Sequence, residues 1–301
     1  MNDQDNEDSD CELNGDERAW ADLEGGTPAY GKGYGSGFRS QLQRAIWGDN
    51  EDDLLYDAPS AKRRRETKRE KLRYITKDQF YELFDAVCFA NLSGRVMNVE
   101  FTLQLGNLGI LGESAAFGAL GIWMKRYRDW CSQRDIERVY IYVWERPPGR
   151  SLHLHMQFHI PAEYLTDFKG WARGSVQSLC KPAAYASHTQ PQIELRRTAR
   201  VKSQWKWFEY LIKGLSPEIC LPGTGPRKTL VDQLGIRAEP QGEIAGKRVG
   251  SSRSISWQAR NDAQIAGTFA PWRPDRDAPA EAFWTDVYLK MWQSRTEDPL
   301  F

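Results

Sequence analysis

Three of the chain's four histidines fall within seven residues, in His153-Leu154-His155-Met156-Gln157-Phe158-His159. Large apolar residues (Leu152, Leu154, Met156, Phe158, Ile160) alternate there with imidazole or amide, which is the period of a β-strand packed on one side. His153, His155, Gln157 and His159 therefore line the opposite face, where same-face neighbours are close enough to share one ligand. Imidazoles held at i and i+2 on a rigid strand make a preformed metal or phosphate site. Wet polar residues on a solvent-facing strand are the plainer alternative. Gathering most of the chain's histidines on one face weighs against it.

A second group of reactive residues lies in Trp205-Lys206-Trp207-Phe208-Glu209-Tyr210-Leu211-Ile212-Lys213-Gly214. On a helix spanning 203–213, Tyr210 and Lys213 are one turn apart, with Lys206 one turn earlier on the same side. A phenol is a weak nucleophile near neutral pH, because it keeps its proton up to about pH 10. Neighbouring ammonium groups and a metal-bound phosphate favour the phenolate and its attack. Taken alone, Tyr210 reads better as part of an amphipathic helix with core aromatics and snorkelling lysines. Tyr185, beside His188 in an expected loop, is a minor rival nucleophile.

Both groups need a frame. Thr76 to Phe84 reads as a capped amphipathic helix, 97–104 as a strand, 115–134 as a helix and 139–144 as a strand. Arg146-Pro147-Pro148-Gly149-Arg150 is a turn into the histidine strand, so 139–159 is a hairpin. A helix at 162–180, a short strand at 192–195 and the 203–213 helix complete an α+β, ferredoxin/RRM-like antiparallel sheet covered by helices. Beyond Gly214 the pattern weakens to loops, a basic 246–254 segment and a terminal helix at 279–295. Gly106 to Gly112 lacks the Lys-Ser/Thr ending of a phosphate loop and reads as a flexible connection.

At 301 residues the chain can bury a full core. Its zero net charge conceals an asymmetry: residues 1–60 hold 15 Asp/Glu against 4 Lys/Arg, leaving 37 basic and 26 acidic residues in 61–301. An acidic, Gly-rich tail joined to a basic body is the pattern of a polyanion binder. The expected organisation is a disordered tail and basic arm (1–72, with the arm running from Lys62 to Arg73), a folded domain (73–214) and a C-terminal extension (215–301). No apolar run approaches a membrane span and the start lacks a secretory pattern, so a cytoplasmic protein is expected. Five scattered cysteines, none in a CxxC pair, indicate neither a disulfide framework nor a zinc knuckle.

The His153-Leu154-His155 strand, the Tyr210-x-x-Lys213 helix and the upstream Phe101-Thr102-Leu103-Gln104 strand occur in the order found in HUH endonucleases. From 97 to 214 the chain resembles a rolling-circle replication initiator of that superfamily, of the plasmid or single-stranded DNA phage type. A weaker echo lies at 246–253. The resemblance implies that His153 and His155 hold a divalent metal, Mg or Mn, and that Tyr210 attacks the scissile phosphate to leave a 5′-phosphotyrosine. Lys213 would neutralise or position the phosphate. It also implies a carboxylate as third ligand. Glu145 is a candidate if the hairpin register turns it towards the histidines, with Gln157 and His159 as competitors. Gln157 departs from the family's usual run of apolar residues after the histidine pair. Lys206 and Gly214 stand where a second tyrosine would, so a single-tyrosine enzyme is expected. Single-stranded DNA at an origin, with host helicase and polymerase, would be the partners, and a relaxase or transposase would share the same site. Lys62 to Arg73 and Lys247 to Arg253 would recognise the origin.

Two other classes remain open. The His-x-His-x-Gln strand is similar to the HIT-type nucleotidyltransferase pattern, in which a histidine forms the covalent intermediate. A non-enzymatic, RRM-like module would instead stack bases on Trp205, Trp207 and Trp257.

Overall fold

The segments with period-two patterning become strands, and those with helical spacing become helices. The computed structural model describes residues 71–179, 192–195, 200–221 and 227–297, with only the backbone of 71–72 and 192–195. The acidic tail, most of the basic arm, Tyr185 and His188 lie outside the described residues. In chain order the elements are β1 (Lys71–Leu72), α1 (Lys77–Leu92), β2 (Val99–Gln104), α2 (Glu113–Ser132), β3 (Val139–Glu145), β4 (His153–His159) and α3 (Leu165–Gln177). Then follow β5 (Gln192–Leu195), α4 (Val201–Leu211), α5 (Leu230–Leu234), β6 (Ile244–Ala245), β7 (Val249–Ser251), α6 (Trp257–Ile265) and α7 (Val287–Glu297).

Five strands form one antiparallel sheet in the order β5-β2-β4-β3-β7. Its first four strands follow the βαββαβ plan expected from the sequence, with the histidine strand β4 at the centre. Alternation gives the sheet two unlike faces. On one face Phe101, Trp144, Leu154, Met156 and Phe158 pack against Trp123, Tyr127 and Trp130 of α2 and Phe168 of α3. On the other, Val139, Ile141 and Val143 share a core with Phe80, Phe84 and Val87 of α1 and Trp205, Phe208 and Leu211 of α4. Fully burying a side chain of this size contributes on the order of 1.5–3 kcal/mol, so both helical layers are held firmly to the sheet. The polar face of β4 is therefore enclosed, not wet.

Local signals explain several boundaries. The Thr76 hydroxyl accepts from the Gln79 backbone N–H, and the Gln79 side chain accepts from the Thr76 N–H, a capping box that starts α1. Helix α4 ends at Leu211, so Lys213 lies in the turn that follows rather than on the helix. The 106–112 connection is ordered into a 3-10 turn, Leu105–Leu108, closed by Gly109 in the left-handed region.

The segment after Gly214 holds more structure than its sequence suggested. β7 adds a fifth strand beside β3, β6 pairs with β1, and the segment also holds the capped helices α5, before these strands, and α6, after them. Gly250 of β7 lies under the Tyr142 ring, where an added Cβ would come within 2.6 Å of it. The expected terminal helix is split into a 3-10 turn, Ala280–Ala282, and α7.

Candidate metal centre and nucleophile

The hairpin register decides what faces the histidines. Glu145 pairs across the strands with His153, and Val143 with His155. On the other side Gln104 pairs with His153 and Thr102 with His155. Glu145 thus falls on the histidine face, at the end of β3. The carboxylate of Glu145 and the imidazoles of His153 and His155 offer ligand atoms that all lie within 4.8 Å of one another. All three are buried, with relative exposures of 1%, 7% and 2% respectively.

The three side chains are a group that could hold a metal ion. Glu145 Oε2 is 3.2 Å from His155 Nε2 and 3.2 Å from Lys213 Nζ. Both contacts are ion pairs rather than well-aligned hydrogen bonds, so the Glu145 oxygens and His155 Nε2 are buried with charged neighbours but without an aligned hydrogen-bond partner. Such atoms are costly unless a ligand completes them. Two imidazole nitrogens and a carboxylate oxygen are a fitting donor set for a divalent cation. Burial would raise the Glu145 pKa, but the His155 imidazole and the Lys213 ammonium outweigh it and hold the carboxyl below its ordinary value. Burial, reinforced by neighbouring His155, lowers His153 and favours the neutral imidazole that binds metals.

Tyr210 comes to the same place from α4. Its ring stands edge-on to the His155 ring at 5.2 Å between centroids and stacks on Trp207 at 4.6 Å. The Lys213 ammonium sits 3.9 Å from the centre of the Tyr210 ring. Burial disfavours that ammonium, yet Tyr210 and Glu145 beside it outweigh the penalty and raise the Lys213 pKa. Lys213 is therefore a fixed positive charge rather than a base. Tyr210 itself is 40% exposed, whereas the three side chains of the cluster are buried.

No family model, curated protein or solved structure matches this chain.

The remaining sequence candidates have other duties. Gln157 donates through Nε2 to the Gln204 carbonyl at 2.9 Å, tying β4 to α4. His159 Nδ1 lies 2.8 Å from the Val96 carbonyl, which it engages as a donor. Neither joins the cluster. Lys206 is exposed, and its charge acts on Glu209. Of the basic groups expected to meet DNA, Arg248 is fully buried and donates to the carbonyls of Trp144 and Gly242, so it is not a phosphate contact. Arg73 of the arm pairs with Glu243 at 2.8 Å. Trp205, proposed as a base-stacking platform, is buried against Phe84, and its indole N–H donates to the Thr285 carbonyl. Trp257 is exposed.

Two residues near the site carried no individual expectation or a different one. Thr102 Oγ1 lies 2.9 Å from His155 Nδ1 in a buried contact, which fixes the ring so that Nε2 faces Glu145. Strand alternation placed Thr102 on one face, but no sequence signal identified its cross-strand partner. Trp207, three residues before Tyr210, is a neighbour of the phenol.

Proposed function

We propose that this chain is a metal-dependent nickase and rejoining enzyme for single-stranded DNA, acting at an origin to initiate rolling-circle replication. The observation that carries the reading is Tyr210 edge-on to His155, beside a buried His-His-Glu cluster whose ligand atoms lie within 4.8 Å of one another. When bound, a divalent cation supplies Lewis-acid charge to a non-bridging phosphate oxygen. Mn fits the mixed nitrogen and oxygen donors better than Mg, which prefers oxygen.

The chain's own residues account for the rest. His153, His155 and Glu145 are held by the sheet, so the scissile phosphate meets a preorganised site. The Tyr210 oxygen attacks phosphorus, giving its proton to water. The P–O3′ bond breaks, its electron pair stays on the 3′-oxygen, and that oxygen takes a proton from water. The 5′ end remains on Tyr210, and the reverse attack by a 3′-hydroxyl rejoins the strand. Lys213, a permanent cation beside Tyr210 and Glu145, offsets the negative charge that builds on the phosphoryl oxygens. A relaxase or transposase would use the same constellation. An intracellular helicase and polymerase would extend the freed 3′ end. Among the described residues no helix is long and apolar enough to cross a membrane.

Incubating the protein with a 3′-labelled single-stranded origin oligonucleotide, with and without Mn, tests the reading on a denaturing gel. Label should stay on the protein only with metal, and Tyr210→Phe should abolish it. Normal nicking by that variant would end the tyrosine assignment.

A further inference from the structure

The cluster and the nucleophile come from different layers, the sheet and α4, and something must set their separation. The segment 239–242, a connection without regular secondary structure, touches the chain next to both. At the sheet end the Arg146 N–H, one residue beyond Glu145, donates to the Gln241 carbonyl at 2.9 Å. At the helix end the Glu239 N–H donates to the Lys213 carbonyl at 2.7 Å. Both joints are close-packed. Gly242 has φ +67°, and a Cβ there would lie well inside contact distance of the Arg146 carbonyl oxygen. A Cβ on Gly214 would lie 2.5 Å from Gln241 Cγ. Buried Arg248 anchors the segment from beneath, donating to the Gly242 carbonyl and to the carbonyl of Trp144, the residue before Glu145. With Lys213 Nζ 3.2 Å from Glu145 Oε2, the contacts form a closed ring: Glu145–Arg146, Gln241, Glu239, Lys213 and back to Glu145.

We infer that residues 239–242 are a positioning clasp that sets the distance between the Glu145 end of the metal cluster and the Tyr210–Lys213 turn. Gly242 and Gly214 are its positioning residues, and Gln241 acts through its backbone carbonyl, so Gln241→Ala alone should cleave at close to the wild-type rate. The role in catalysis rests on the nickase reading; the mechanical coupling does not. The sheet alone fixes Glu145, His153 and His155 relative to one another, and the Gln157–Gln204 bond holds the start of α4, so loosening the clasp shifts only the Tyr210–Lys213 end and spares the metal. A misplacement of about 1 Å at a reacting group can cost on the order of 100-fold in rate.

The test compares the full-length chain with Gly242→Ala, Gly214→Ala, Gln241→Ala and the Gly214→Ala/Gln241→Ala double variant. Single-turnover cleavage of the oligonucleotide with Mn, affinities for Mn and for the oligonucleotide, and hydrogen–deuterium exchange are measured. Gly242→Ala should cleave at least about 10-fold more slowly, with both affinities held within about 3-fold. Exchange should rise together at the Arg146 amide, whose acceptor is the Gln241 carbonyl, and in 209–215, with 139–145 unchanged. Gly214→Ala should be slowed likewise. The double variant, with Cγ removed, should recover most of the rate, and this pair decides the matter if Gly242→Ala does not fold. Wild-type cleavage by Gly242→Ala, or no recovery in the double variant, overturns the clasp. If the wild-type protein cleaves nothing, the nickase reading fails separately. The clasp then stands if exchange rises at the Arg146 amide and in 209–215 and falls if the rise is confined to 238–245.

Discussion

Replacing Thr102 by valine removes one hydroxyl while keeping a β-branched side chain suited to the strand. That hydroxyl lies 2.9 Å from His155 Nδ1, and both residues are buried. With Nε2 turned towards Glu145, an imidazole ready to bind metal carries its proton on Nδ1, and Thr102 accepts it. Losing such a partner leaves the ring free to tilt or change tautomer, at a cost of about 10–100-fold in metal affinity. This corresponds to roughly 1.4–2.8 kcal/mol, at about 1.4 kcal/mol per tenfold. Folding should suffer less: one hydrogen bond is worth about 0.5–1.5 kcal/mol net, which lowers the melting temperature by a few degrees, at about 2–4 °C per kcal/mol. Mn titration by calorimetry, beside thermal unfolding of metal-free protein, separates the two effects. Unchanged Mn affinity with a normal drop in melting temperature would make His155 a core histidine rather than a ligand.

Further outcomes follow from the same geometry. His159→Gln should leave Mn affinity within about 2-fold, because its ring serves Val96, whereas His153→Gln should weaken it by 10-fold or more by calorimetry. Trp207→Ala removes the ring stacked on Tyr210 at 4.6 Å; an aromatic pair is worth about 0.5–1.5 kcal/mol, so single-turnover cleavage should slow by roughly 2–12-fold without loss of Mn binding. Lys213→Ala should slow cleavage by about 100-fold, seen as a fall in kcat larger than any rise in KM. Trp205→Ala should cost about 3–5 kcal/mol in chemical denaturation, since that ring fills the core between α1 and α4.

Periodicity carried the sheet and its two long covering helices, because alternation and helical spacing are properties of contiguous residues. It also put His153, His155, Gln157 and His159 on one face. What it could not settle was register. The turn at Pro147-Pro148-Gly149 fixes which β3 residue meets which histidine, and a slip of one residue would have turned Glu145 away. Thr102 escaped notice for the same reason: its face was legible but its neighbour was not. Trp205 and Trp207 look alike in sequence, yet two residues of helix rotation put one in the core and the other beside the phenol. β7 is three residues long and rich in Gly and Ser, so it carries no strand signal apart from its sheet. The 239–242 clasp works through backbone groups and two glycines, and long-range backbone contacts leave no pattern in a single sequence.

Binding of a divalent cation by Glu145, His153 and His155 together, next to Tyr210, is what the nickase reading stands on. Anomalous diffraction from crystals grown with Mn addresses it without any assumption about substrate. One strong peak bonded to a Glu145 oxygen and to both imidazoles, on the side facing Tyr210, is the predicted result. Well-ordered side chains at those three positions with no peak between them, in crystals soaked to saturation with Mn, would contradict it.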